Sequence, residues 1–537
     1  MIDLALSVLG ATTTRDDAAA GLLLRAGRAS VIPQAVPAAA DLPILIFPGT
    51  AGPSAAAAAA TTFTEVTGLA LQLSEAAPCR GYRFGTATTL WPFCGLALDE
   101  DCDRVLPAVI PRRGVEALVS SPRGGVFVRG SAGTRSVYLS LVPVPDPDEV
   151  SLLKNEFGAK RFMGLLALLV FARTALGDAG WRTPQVGASF LVDDPNLRLR
   201  RYGFLVLDSV LEAACREDFH MAVAMIPLDY AKTRERAARL MRANPDRLSL
   251  VLHGVDHRRL EFEADVPEDR AEAALAQALA RMQAHQQRTG IRHPRVMTFP
   301  HGGCNATWLT ALRNTGFDAA LASRAIPFAH ETGLDNPLYE MHPAELGFAG
   351  FPMINRFKAE EPVEHLLFQA WLGKPLVIYT HHQFFSEGLQ GVTTIARFLN
   401  DHVRPRWTDI GTMVAANYQV RATPAGAAVR VFSNRVTLAL DRGLAGVVKP
   451  SPAAEPERAE LDGAELALDQ TASGLATRRL EPRARPAEIV FRPAHGARPH
   501  PLASVSVLSR VRRAATEVRD QGAPITVKIR GSARTRR

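Results

Sequence analysis

The segment VGASFLVDDPN (186–196) decides the fold. Its first part, Val186–Val192, is apolar almost without interruption, and Asp193, Asp194, Pro195 and Asn196 then stop the run. A short apolar run ended by turn formers marks a strand buried on both faces, as in a parallel sheet. Further runs of this kind lie downstream: Met221–Ile226 (MAVAMI), Leu248–Leu252 (LSLVL), Val296–Phe299 (VMTF), Ala319–Ala322 (AALA) and Pro375–Thr380 (PLVIYT). Between them the apolar period is helical, over Arg234–Ala243, the alanine-rich Glu268–Arg288, Ala306–Thr315 and Val363–Leu372. Buried strands separated by helices give an α/β barrel or an open doubly wound sheet.

Outward from this region the pattern changes on both sides. Toward the amino terminus, Pro143, Pro145 and Pro147 mark a boundary, and a helical stretch runs from about Glu149 to Leu176. Before it lies a region rich in Ala, Gly and Pro, with strand-like pieces at Pro43–Phe47, Gly125–Val128 and Val137–Val142. The alanine run Ser54–Ala60 reads as helix, with a linker as the alternative. After about Gln419 the helices stop, and Ala428–Phe432, Val436–Leu440 and Glu488–Phe491 read as strands between proline-rich connections. The expected division is therefore 1–148, an α/β region of unknown role; 149–420, the barrel or doubly wound unit; 421–510, a small β-rich unit; and 511–537, a basic tail.

A length of 537 residues fits about two to four domains. A hydrophobic fraction of 47% with 22% charged residues excludes a disordered chain, a fibre and a many-span membrane protein. The net charge of +8 is unevenly placed. From Ala503 to Arg537 nine basic residues face only Glu517 and Asp520, so the tail holds seven of the eight net charges. The body is thus nearly neutral, and no specific nucleic-acid partner is expected. The tail reads first as a solubilising disordered end, and otherwise as a contact for anionic surfaces. The five cysteines form no CxxC pair, which argues against a disulfide framework and a zinc ribbon. The start MIDLALSVLGATTTRDD lacks a basic leader, and Phe162–Leu176, which holds Arg173, is short of the roughly 20 residues of a membrane span. A cytoplasmic protein is expected.

In either α/β architecture the chemistry sits at the carboxyl ends of the strands. Here those ends carry Asp193-Asp194, then His253-Gly254-Val255-Asp256-His257, then Pro300-His301-Gly302, then His381-His382. Singly each has a bland reading: an Asp pair caps a helix, two histidines four apart share a helical face, and a Pro-His-Gly turn is structural. The HExxH protease pattern is absent, since Gly254 follows His253. Together the residues change meaning. One carboxylate and two imidazoles suit Zn, Co, Fe or Mn with positions left for water and substrate. A second carboxylate beside them can serve as base, and a histidine across the mouth as acid.

The order Asp-Asp, HxxxH, Pro-x-Gly, strand-ending His resembles the polysaccharide deacetylase family (NodB-type, carbohydrate esterase family 4), over about Val186 to Gln419. The resemblance implies a distorted seven-stranded (β/α) barrel. It implies Asp193 as catalytic base, Asp194, His253 and His257 as ligands of a divalent metal such as zinc, and His381 or His382 as the acid. Strand alternation from Val377 and Tyr379 favours His381 inward, and the family's pattern favours His382. The sequence departs from the family in four places, and one of them is that the family's Asp-x-x-Asp-Trp fourth motif is absent. Pro195 stands where a glycine is usual, and His301, with Gly302, stands where an aromatic residue's backbone helps hold the oxyanion. Thr298 stands where an arginine orients the base. Arg356, in FPMINRF, is the substitute for that arginine, or else a solvated surface side chain.

The function implied is hydrolysis of a non-peptide C–N bond, the deacetylation of an acylated sugar or related amide. An alternative keeps the barrel as a catalytically inactive carbohydrate-binding or scaffold module. A glycoside hydrolase ranks last, because the adjacent Asp193 and Asp194 cannot flank a scissile bond.

Overall fold

The structure is a computed structural model that describes residues 9, 23–26, 43–145, 156–323, 341–345, 351–450, 457–471, 474–493 and 506–534. Seven parallel strands close on themselves. They are β1 (Gly187–Asp193), β2 (Met221–Met225), β3 (Leu248–His253), β4 (Val296–Thr298), β5 (Ala319–Ala322), β6 (Met353–Lys358) and β7 (Leu376–Thr380). Each pairs with the next, and β7 returns to β1 through Thr380↔Val192 while β2 flanks β1 through Ala224↔Asp193. That closure decides between the two architectures in favour of the barrel. The short strand Arg406–Trp407 adds beside the start of β1.

The pleat sorts side chains onto two faces. Leu191, Ala222, Ala224, Val251, Val296, Ala319, Leu321, Ile354 and Val377 fill the inside as one cluster. Their neighbours, among them Phe190, Val223, Leu250, Met297, Met353 and Ile378, face the surrounding helices. Following the inward parity to the strand ends brings Asp193, His253, Thr298 and Arg356 to one mouth. All four are buried.

Strand β6 lies outside the sequence-predicted set. Its residues Met-Ile-Asn-Arg-Phe-Lys are half polar, with Asn355 and Arg356 adjacent at the centre. That polar pair interrupts the continuous apolar run that marks the other strands, yet here the arginine points inward.

The amino-terminal region is a seven-stranded mixed sheet with the helix Pro53–Thr67 on one face, so the alanine run is helix and not linker. Its other face merges with the barrel's outer core through Phe93, Phe157 and Phe162, whose ring centroids lie 4.8–5.4 Å from that of Phe368. The apolar helix Met163–Leu176 fills that seam, and the Arg173 guanidinium lies 3.5 Å over the Trp371 ring. The first part of the expected Glu149–Leu176 helix, 149–155, falls outside the described residues. Among the described residues no helix is long and apolar enough to cross a membrane.

Past the barrel, a five-stranded and a four-stranded sheet enclose their own core of Val429, Val431, Val436, Leu438, Val447, Ile489 and Phe491. The expectation of a disordered basic end is corrected by the helix Val507–Arg534, which lies across the barrel mouth. Charge and low hydropathy argued for disorder, but Ser509, Arg513, Glu517 and Asp520 find buried polar partners on the barrel.

Candidate active site and metal centre

Asp194 follows the end of β1 in the left-handed region (φ 82°), which asparagine and aspartate tolerate better than most side chains. The strained residue of the Asp-Asp-Pro turn is therefore Asp194 itself, with Pro195 following. Its Oδ1 lies 3.5 Å from Nε2 of His253 and 3.1 Å from Nε2 of His257. This oxygen is buried and makes no hydrogen bond within the usual geometry. Thr298 O lies 3.3 Å from His253 Nδ1, which fixes the ring with Nε2 toward Asp194. A backbone carbonyl on the far nitrogen is the usual way to orient a ligating imidazole.

Burial pushes the Asp194 carboxyl up, but the two imidazoles outweigh it and hold it well below the usual carboxylate range. Burial likewise lowers His257, and the facing Asp194 outweighs it, so its pKa is raised. Three donor atoms within 4.8 Å, one of them a buried oxygen without a hydrogen bond, call for positive charge between them. The O,N,N donor set fits a divalent cation of the zinc, cobalt, iron or manganese type.

The two histidines do not share a helical face. His253 ends β3, and His257 is reached through a loop in which Gly254 (φ 68°) and His257 (φ 55°) both have positive φ. A Cβ on Gly254 would lie 2.6 Å from both Glu261 Oε2 and Pro300 Cγ, so only glycine fits. Glu261 holds this loop: its carboxylate accepts the amides of Val255 at 3.0 Å, Asp256 at 2.9 Å and His257 at 3.2 Å. Sequence reasoning missed Glu261. Its only signal was a carboxylate four residues after a histidine, which reads as surface.

Asp193 does not join the triad. It turns inward and accepts from Nη1 of Arg356 at 3.0 and 2.8 Å through its two oxygens. Arg356 is not a solvated surface side chain. It is 5% exposed, donates from Nη2 to the Phe299 carbonyl at 3.2 Å, and lies 4.4 Å over the Tyr379 ring. The cation thus reaches Asp193 from β6, while Thr298 on β4 sits buried at the place where the resemblance expects an arginine.

His382, and not His381, faces the mouth. The ladder of β7 ends at Thr380, so strand parity stops applying one residue before His381, which is exposed. A tight turn then begins at His382, which is 2% exposed. Its ring packs between Tyr202 and Phe204, with centroids 5.6 and 6.1 Å away. Its Nε2 lies 3.6 Å from Asp520 Oδ1 of the C-terminal helix. A Cβ on Gly203 (φ 55°) would come within 2.2 Å of His382 Nδ1, so this glycine makes room for the ring.

His301 has φ 61° at the centre of the Pro300–Gly302 turn, its ring 5.6 Å from that of His257. The Gly302 amide donates to the Phe299 carbonyl at 3.1 Å. That withdraws it from any oxyanion and corrects the expectation placed on Gly302, leaving His301 as the turn's candidate. The C-terminal helix completes the surroundings. Arg513 donates from Nη2 to the Asp194 main-chain carbonyl and from Nε to Asp229 Oδ2, both at 2.7 Å.

No family model matches the sequence, and no curated protein matches it. Among solved structures, a family 4 carbohydrate esterase from Streptomyces lividans in complex with acetate is similar at 13% identity and TM-score 0.24, over 41% of this chain and 89% of that one. A putative polysaccharide deacetylase from Mycobacterium smegmatis is similar at 15% identity and TM-score 0.26, over 42% and 92%. A structure described as T48 deacetylase with substrate is similar at 10% identity and TM-score 0.24, over 41% and 84%. The barrel itself rests on its strand pairings.

Proposed function

We propose that the chain is a metal-dependent hydrolase of non-peptide C–N bonds that removes an acyl group from an acylated sugar or related amide. The observation that carries this reading is the juxtaposition of two differently treated aspartates. Asp194 faces two imidazoles at 3.1 and 3.5 Å, and Asp193 is held by a buried arginine at 2.8 Å. A structural aspartate pair has no need of both arrangements. They suit a ligand and a base.

Asp194, His253 and His257 would hold the cation, which supplies Lewis acidity toward the amide carbonyl when bound. Asp193 takes the proton of the attacking water. Arg356 keeps both its oxygens in one orientation. His382, in its slot between Tyr202 and Phe204, donates a proton to the leaving amine. His301 faces the developing oxyanion from the Pro300–Gly302 turn.

The test is Asp193→Asn, assayed as acetate release from acetylated amino sugars and small amides, with metal content measured on the same sample. Loss of a general base costs roughly 10²–10⁴-fold in rate. An unchanged rate with the metal retained would refute the assignment.

A further inference from the structure

The C-terminal helix is amphipathic in the reverse of the usual sense. Over 506–524 its buried positions include Ser509, Arg513, Glu517 and Asp520, all polar, and they meet the barrel. Ser509 Oγ donates to Asp256 Oδ2 at 2.9 Å, Lys232 donates to Glu517 at 3.1 Å, and Tyr202 donates to Asp520 at 2.7 Å. These bonds fix which way the helix is turned. Its opposite face carries Val507, Leu508, Val511 and Val518, which are 76, 75, 60 and 72% exposed. They are the four most exposed large apolar side chains among the described residues. At about 100° per residue they fall within an arc of roughly 100°. Scattered exposed apolar groups need no explanation, but four on one stripe do.

The borders of the stripe are cationic. Arg510 and Arg519 are exposed on its two sides, and Arg519 also pairs with Asp520 at 2.8 Å. Both acids of the helix, Glu517 and Asp520, are turned inward, so its exposed positions over 506–524 hold arginines and no carboxylate. The sequence continues to Arg537 with five more basic residues and no acid.

We propose that this outer face is a docking surface for an anionic lipid bilayer, on which the helix lies parallel to the membrane with its aliphatic stripe in the headgroup boundary. An apolar stripe bordered by arginines is the pattern of an interfacial helix. A nucleic acid would want aromatic platforms for its bases, and this stripe is aliphatic throughout. Because the inner face stays bonded to the barrel, docking does not require the helix to leave. The barrel mouth is thereby held close to the bilayer. This assignment does not depend on the proposed hydrolase activity.

The experiment is vesicle co-sedimentation of the full chain, with phosphatidylcholine alone and with phosphatidylglycerol added. Binding should appear with the anionic lipid and weaken with salt. Val511→Asp with Val518→Asp should reduce partitioning by about tenfold or more at unchanged thermal unfolding, since the two residues are 60 and 72% exposed. Arg510→Ser alone should reduce it by about fivefold. Failure of the chain to bind anionic vesicles would overturn the proposal, as would unchanged binding by the double variant. A lipid-free dimer that the double variant converts to monomer would assign the face to a second copy and would also overturn it.

Discussion

Arg356→Met isolates the most consequential pair in the barrel. The guanidinium and the Asp193 carboxylate are 1% and 3% exposed and meet at 2.8 Å. With charge centres about 3–4 Å apart and an effective dielectric of about 20, their gross attraction is about 4–6 kcal/mol. Removing the cation leaves a buried carboxylate with no counter-charge, and breaking such a pair destabilises by about 3–5 kcal/mol. Methionine keeps much of the apolar stem, so the loss is mainly electrostatic. Equilibrium denaturation at neutral pH, read for Arg356→Met, Asp193→Asn and the double variant, gives the coupling directly. The single arginine variant should lose about 3–5 kcal/mol, and the double variant should lose less than the sum of the two singles by about 1–3 kcal/mol. A loss within about 0.5 kcal/mol for Arg356→Met, as for an ordinary surface change, would refute the pairing. Strict additivity would do the same.

Three further outcomes follow from the structure. Glu261→Ala frees the three amides that shape the His253–His257 loop, and should weaken divalent metal binding about 10–100-fold by calorimetric titration. Gly203→Ala places a methyl group 2.2 Å from His382 Nδ1 at a positive φ. It should destabilise the fold by at least about 1 kcal/mol and lower activity, whereas Gly463→Ala, also at positive φ but with open space around it, should leave activity unchanged. Burial holds His220, paired with Ser189 Oγ at 2.8 Å, down at about 4 against an ordinary 6.5. The unfolded chain therefore takes up this proton first, and stability falls as pH drops from 6.5 to about 4, by about 3 kcal/mol for this one group. His220→Gln should make that fall shallower; an identical pH profile would contradict the burial argument.

What was legible in the sequence follows from one physical regularity. Strands buried on both faces are long apolar words, and a polar residue ending such a word has to be at the mouth. Asp193, Asp194, His253 and His257 were readable for that reason. Arg356 was not, because a buried cation inside a half-polar strand is indistinguishable from a solvated one until its partner on β1 is in view. The choice between His381 and His382 failed for a local reason, since parity holds only as long as the ladder, and the ladder stops at Thr380. The C-terminal helix was illegible for the opposite reason to the strands. Its apolar side is the exposed one, so a pattern search assigns its polar residues to solvent when they are in fact the ones buried.

The order of the parts along the chain has a consequence for how the site is made. Ser509 and Arg513 reach Asp256 and Asp194 across 253 and 319 residues of sequence. During synthesis the whole barrel, through His382, emerges about 120 residues before this helix does. At roughly 5–20 residues per second that is an interval on the order of 6–25 s, long compared with the folding of most small domains. Asp194, His253 and His257 can therefore come together on an uncapped barrel, open to the ions of the compartment where translation takes place. The helix then packs over side chains that are already in place, so a later-made segment of the chain covers an earlier one.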